Sequence, residues 1–104
     1  SFTVESPLLI VEVLSPSTER QDRRVKLPDY REIESVHEIL FIDSDQPYCE
    51  LHRRFESDKW LVELYRDMDA TLELESVGMT LSLAEIYSGV QSETEESREE
   101  NVNR

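Results

Sequence analysis

The sequence predicts an α/β protein: a mixed β-sheet with a crossover helix, followed by an antiparallel meander. Three features indicate this fold. An almost continuous apolar run over residues 8–14 is typical of a buried strand, and a helical segment follows it. From residue 48 onward, apolar and polar residues alternate between short polar turns. Parallel strands need a crossover and antiparallel strands need only a turn, so the order of these segments sets the sheet type.

Length and composition limit the domain organisation and the surface. The 104 residues allow one small domain, predicted over residues 1–90. With 24 acidic against 11 basic residues, the net charge is −13. The surface as a whole therefore repels phosphate backbones, and any contact with nucleic acid must be local.

The chain has one cysteine, Cys49, which excludes an internal disulfide and a multi-cysteine zinc site. No segment reaches the roughly twenty apolar residues of a membrane span, and no signal peptide opens the chain. We expect a cytoplasmic protein. Because Ser1 lies almost directly before the most apolar strand, we also expect the chain to be the downstream part of something longer.

Glu12 is the unusual residue of the first strand. We expect this strand to be buried on both faces, where a carboxylate is costly unless it is paired, hydrogen-bonded or bound to a cation. The alternative is a glutamate near the strand end that reaches solvent or an arginine. The strand stops at Ser15-Pro16-Ser17-Thr18, which predicts a turn.

The following helix should run from about residue 19 to 27 and extend toward residue 34. Thr18 and Gln21 have the spacing of a capping box at its start. Pro28 should kink or break it, because proline lacks the N–H and its ring crowds the carbonyl of Arg24.

One face of this helix carries Asp22, Lys26, Tyr30 and Ile33, since residues four and three apart share a face. We expect Tyr30 and Ile33 to face the sheet, which places Asp22 and Lys26 on the inward side. An ordinary i,i+4 ion pair is the alternative for those two. The basic residues predicted to face solvent are Arg20, Arg23, Arg24 and Arg31.

The rest of the chain predicts a second apolar strand over residues 38–42 and a meander with one solvated face. Glu50, His52 and Arg54 alternate with apolar residues and should lie on that face. His37 and His52 have no ligand spacing and should be structural or surface residues, and Cys49 should be a core cysteine.

Two further segments close the chain. Ser82 and Glu85 form a second capping box, opening a short helix that Gly89 should end. Residues 91–104 are acidic, nearly without apolar residues, and predicted to be a disordered tail.

A strand that carries an acid and a helix that returns a lysine would bring a carboxylate and an amine together. The carboxylate of Glu12 could hold Mg²⁺, while Lys26 could neutralise a phosphoryl oxygen or orient an attacking water. These are the parts of a metal-dependent phosphodiesterase. The catalytic candidates are Glu12, Lys26 and Asp22, the metal ligand is Glu12, and the candidates for contacting nucleic acid are Ser15, Ser17 and Arg20.

The segment from Pro7 to Thr18, with Asp22, Lys26 and Tyr30 after it, resembles the Uma-two family of restriction endonucleases. That family belongs to the PD-(D/E)xK nuclease superfamily, and the resemblance covers roughly residues 7–90. It implies a DNA endonuclease that uses Mg²⁺ or Mn²⁺, with Glu12 as a metal ligand. Since Leu14 stands where the superfamily lysine is usual, it implies that Lys26 is the lysine, migrated to the helix, with Asp22 orienting Lys26 or the metal-bound water.

The family's upstream half, with two strands and a Pro-Asp metal ligand, has no counterpart in this chain. We therefore expect weak Mg²⁺ affinity. A truncated, non-catalytic remnant that serves as an interaction or assembly module is the alternative. Without those strands, residues 8–14 would form an open apolar edge, which predicts a homodimer through the first strand.

Overall fold

The computed structural model describes residues 6–15 and 19–89, and for residues 19–25 it describes the backbone alone. The described helices and strands, in chain order, are β1 (Leu9–Leu14), α1 (Glu19–Glu32), β2 (Glu38–Asp43), β3 (Cys49–Glu56), β4 (Lys59–Tyr65), β5 (Thr71–Leu74), a 3-10 turn (Glu75–Val77), β6 (Met79–Ser82) and α2 (83–89). No helix in these described ranges is long and apolar enough to cross a membrane.

The main sheet has four strands in the order β1-β2-β3-β4. β1 and β2 are parallel and are connected through α1, whereas β2, β3 and β4 form an antiparallel meander. β5 and β6 pair as a separate antiparallel hairpin. The predicted fold class, a mixed sheet with a crossover helix and a meander, is therefore confirmed.

Each face of the sheet has its own hydrophobic core. On the α1 side, Leu27 and Tyr30 of the helix pack against four buried residues, Leu14, Val36, Ile39 and Phe41. On the other side, the β5–β6 hairpin and α2 cover the middle strands through Leu40, Ile42, Cys49, Leu51, Leu72, Leu74, Leu83 and Tyr87. Cys49 is a buried core residue, as predicted.

The prediction that β1 is buried on both faces is wrong. Val11 is 48% exposed and Val13 is 51% exposed, whereas Leu14 is buried. β1 lies at the edge of the sheet, and β2 is the one described strand that pairs with it. The hairpin packs on the middle strands and leaves this end of the sheet uncovered, so the apolar composition of β1 does not bring two-sided burial.

Pro28 does not end α1, which continues to Glu32. The proline side chain is exposed, so its ring does not crowd the core. Tyr30 packs on the sheet as predicted. Ile33 does not, because it lies beyond the last helical residue and is 36% exposed.

The face of β3 that carries Glu50 and His52 is not solvated, which corrects another expectation. Glu50 is 8% exposed and His52 is 3% exposed. Cross-strand partners point to the same side of a sheet, and Phe41 pairs with both Glu12 and Glu50. The side chains of Glu12, Phe41 and Glu50 therefore share the face covered by α1.

The second predicted capping box is present. The Glu85 backbone N–H donates to Ser82 Oγ at 3.1 Å, and Glu85 Oε1 accepts from the Ser82 backbone N–H at 3.1 Å. Gly89 is the last described residue of α2, so its predicted role as the helix terminator stays a prediction. The capping box at Thr18 and the tail over residues 91–104 lie outside the described residues.

Candidate functional site

Glu12 points from β1 toward α1, and two side chains of the helix reach it. Lys26 Nζ lies 3.5 Å from Glu12 Oε1, and the Tyr30 hydroxyl donates a hydrogen bond to the same oxygen. The two donors are four residues apart on the helix, which places both over the strand. Glu12 and Lys26, predicted as catalytic partners from the sequence, are thus brought into contact.

The contact is partly open to solvent. The Lys26 side chain is 41% exposed and the Glu12 side chain 23% exposed. An ion pair as long and as exposed as this contributes less than about 1 kcal/mol to stability, because water screens it. Its location therefore has more bearing on chemistry than on folding: a carboxylate and an ammonium group meet where solutes can reach them.

The other predicted site residues are located less fully. Ser15 follows β1 directly and is half-buried. Ser17 lies outside the described residues. Arg20 and Asp22 lie in the first turn of α1, where the backbone alone is described. Their predicted roles remain predictions.

Sequence reasoning missed a buried polar chain on the same sheet face. Arg31 Nη2 lies 2.8 Å from His52 Nδ1, and His52 Nε2 lies 2.7 Å from Glu50 Oε1. The arginine side chain can only donate, so His52 Nδ1 accepts this hydrogen bond and His52 Nε2 donates one to Glu50 Oε1. His52 therefore bridges Arg31 and Glu50.

The contacts between Arg31, His52 and Glu50 also show that the prediction that Arg31 faces solvent is wrong. Its guanidinium contacts His52 and lies 5.2 Å from the centre of the Trp60 ring. Burial lowers the pKa of Arg31, and the negative charge of Glu50 partly opposes that effect. The sequence feature that could have indicated these contacts is the alternation of Glu50, His52 and Arg54. The same alternation also fits an exposed strand face, so it did not identify the buried contacts.

Arg54 fixes the end of α1 to the sheet. Its Nη2 donates to the carbonyls of Arg31 and Ile33 at 2.9 and 3.1 Å, and its Nε donates to the Val36 carbonyl at 2.9 Å. Its guanidinium lies 4.3 Å from the centre of the Trp60 ring. Carbonyls at a helix C-terminus lack intrahelical hydrogen-bond partners, and Arg54 supplies the missing donors.

The donor set around Glu12 fits a cation bound mainly by water and substrate. Among the described side chains, those of residues 6–15 and 26–89, no three His, Cys, Asp or Glu lie close enough to hold a metal ion together. Mg²⁺ commonly takes one or two protein carboxylates and completes its shell with water and phosphate oxygens. Glu12 meets that minimum, and a single carboxylate implies weak binding.

Comparison with known proteins identifies the family. A family described as "Uma2: Putative restriction endonuclease" matches residues 1–84. The chain belongs to the Uma2 family. The resemblance to Uma-two proteins seen in the sequence is thereby confirmed, and the match includes Glu12, Lys26 and Tyr30.

Two relatives extend this result. The chain is 36% identical over 84 residues to an uncharacterized protein of Synechocystis sp., covering 81% of this chain and 44% of that protein. The fold of this chain is similar to that of a crystal structure titled as a putative nuclease belonging to DUF820 from Anabaena variabilis, with a TM-score of 0.63 and 19% identity. That match covers 84% of this chain and 47% of the solved one. The chain thus spans about half the length of these relatives.

Proposed function

We propose that this Uma2 chain carries the catalytic strand and helix of a metal-dependent DNA endonuclease. The observation that carries the proposal is the contact of Lys26 with Glu12 at 3.5 Å on a solvent-accessible part of the sheet. A carboxylate that holds a divalent cation and an adjacent ammonium group are two components that metal-dependent phosphodiester hydrolysis uses. The description of the matched family supports the same reaction class.

In this proposal each residue has one task. Glu12 holds Mg²⁺ or Mn²⁺, which when bound polarises a phosphoryl oxygen and acidifies a water. Lys26 neutralises charge that develops on the scissile phosphate, and Asp22 orients Lys26 or the water. Ser15, Ser17 and Arg20 contact the flanking DNA phosphates, providing a local attraction that the net charge of −13 does not. The single cysteine favours a cytoplasmic location.

A nicking assay on supercoiled plasmid tests this function. We expect slow conversion to open circles with Mg²⁺ or Mn²⁺, abolished by chelation and by Lys26→Ala. Lys59→Ala is the matched control, because Lys59 lies on β4, is 63% exposed and pairs with Glu56 at 3.4 Å. Absence of metal-dependent nicking, or equal nicking by both lysine variants, would contradict the proposal.

The second candidate function is an assembly module without catalysis, and the exposed edge strand favours it. Val11 and Val13 form an apolar stripe on β1, the edge strand of the described sheet. Edge strands of this kind serve as templates for another strand. We propose that β1 pairs with β1 of a second copy across a two-fold axis.

The register of that pairing determines where the two Glu12 side chains lie. Pairing centred on Val11 places Leu9 opposite Val13 of the second copy, so the apolar stripes match. The two Glu12 residues are then diagonal neighbours, about 7–8 Å apart. Pairing centred on Glu12 would set the carboxylates directly opposite, where they repel unless a cation lies between them.

Light scattering coupled to size exclusion tests the assembly. We expect a particle of twice the 12.2 kDa chain mass, which Val11→Lys converts to a monomer. Lysine on an edge strand opposes pairing. Thr71→Lys, on the exposed face of β5, is the control that should leave the dimer intact. A wild-type monomer at high protein concentration would refute it.

A further inference from the structure

Glu12 is held by one of its two carboxylate oxygens. Lys26 and Tyr30 both contact Oε1. Among the described residues, no hydrogen-bond donor contacts Oε2. A carboxylate that is held through one oxygen can present the other oxygen to a cation in a defined direction.

The two donors differ in how firmly they hold Oε1. The Lys26 contact is 3.5 Å long and comes from a flexible side chain that is 41% exposed. The Tyr30 ring packs against the core formed by Leu14, Val36, Ile39 and Phe41. A phenol has only two side-chain torsions and loses little freedom when its ring is packed. Tyr30 is therefore the donor that fixes the carboxylate.

Tyr30 is itself fixed by its neighbour in the helix. Arg31 binds His52 at 2.8 Å, and its backbone carbonyl accepts from Arg54 at 2.9 Å. These contacts fasten the last turn of α1 to β3, two strands away from Glu12. The buried polar chain thus sets the height of Tyr30 above β1.

We propose that Tyr30 is a positioning residue that turns Glu12 so that Oε2 is presented to a divalent cation, with the Arg31–His52–Glu50 chain holding Tyr30 in place. This inference rests on the proposed function, since it concerns the same cation. Residues that orient metal ligands from behind commonly contribute about 10–100-fold to metal affinity.

The test measures Mn²⁺ affinity by electron paramagnetic resonance on the full chain. Tyr30→Phe keeps the packed ring and removes the hydroxyl, and we expect the Kd for Mn²⁺ to rise about tenfold. Tyr65→Phe is the matched control, because Tyr65 lies on β4 and packs against the hydrophobic core on the other face of the sheet, away from Glu12. We expect no change there, and an unchanged far-UV circular dichroism spectrum in both variants.

A metal-free measurement separates this inference from the proposed function. In wild type, the Tyr30 hydroxyl proton should appear in the proton NMR spectrum as a slowly exchanging resonance. It should vanish in Tyr30→Phe and shift in Glu12→Gln. If this resonance behaves so but wild type binds no Mn²⁺, the proposed function fails and the positioning role fails with it. If wild type binds Mn²⁺ and Tyr30→Phe binds it equally well, the positioning role alone is overturned.

Discussion

Glu38, the first residue of β2, joins the sheet to the 3-10 turn after β5 and is 1% exposed. Its Oε1 accepts from the backbone N–H of Ser76 at 2.8 Å and from Ser76 Oγ at 2.6 Å. Its Oε2 accepts from Arg53 Nε and from the backbone N–H of Glu75, both at 3.2 Å. Four donors therefore converge on one buried carboxylate, which makes Glu38→Gln an informative perturbation.

The size of the effect follows from this geometry. An amide has one acceptor oxygen, so in Glu38→Gln the NH₂ group faces either the two Ser76 donors or the Arg53 and Glu75 donors. Hydrogen bonds to a charged group contribute about 1.5–3 kcal/mol each, and two are lost. We expect the free energy of unfolding to fall by about 3–6 kcal/mol, a large part of the total of about 5–15 kcal/mol typical of native proteins.

Urea denaturation followed by Trp60 fluorescence measures this loss. With a slope of about 1–3 kcal/mol per molar urea, the midpoint should fall by about 2 M. Glu63→Gln is the control, because Glu63 pairs with the same arginine at 2.8 Å but is 36% exposed. It should cost less than about 1 kcal/mol. Equal losses in the two variants, or less than 1 kcal/mol for Glu38→Gln, would refute the reasoning.

Three further predictions concern pH and the attachment of α1. Burial raises the pKa of Glu38, but the hydrogen bonds from Ser76, Arg53 and Glu75 outweigh it and hold the pKa below 4.5. The stability that ionised Glu38 contributes is therefore complete above pH 4.5 and is lost as the pH falls through the lower pKa of the folded state. The difference in urea midpoint between wild type and Glu38→Gln should thus shrink in acid. Burial raises the pKa of Tyr87 to about 12. The contribution of Tyr87 to folding stability is therefore complete below pH 10 and is lost as the pH rises toward 12. In an absorbance titration at 295 nm, Tyr87→Phe should lack the last ionisation step of wild type. Arg54→Lys should destabilise the fold by about 1–3 kcal/mol and speed amide exchange at the end of α1, since an ammonium group cannot span the same carbonyls.

The order and type of the main elements could be predicted from the sequence because their signals are local. The apolar run before Ser15, the alternation of Leu72 and Leu74, and the pairing of Ser82 with Glu85 each depend on a few neighbouring residues. Tyr30 could be placed on the inward face of α1 by helical spacing alone. The structure agrees in each case.

The remaining features depend on which distant segments meet. The exposure of Val11 and Val13 follows from β1 lying at the edge, which composition does not encode. The burial of His52 follows from Arg31, which reaches it from a helix 21 residues earlier in the chain. For the same reason, the convergence of Lys26 and Tyr30 on one oxygen of Glu12 was not predictable from spacing.

The most direct test of the account is the binding of Mn²⁺ to wild type, measured by isothermal titration, against Glu12→Gln. The chain carries 24 acidic residues, so weak nonspecific binding must be subtracted, and Glu56→Gln at the exposed end of β3 is the matched control. We predict one weak site per chain in wild type and Glu56→Gln that is missing from Glu12→Gln. Equal binding by all three proteins would contradict the assignment of Glu12 as a metal ligand.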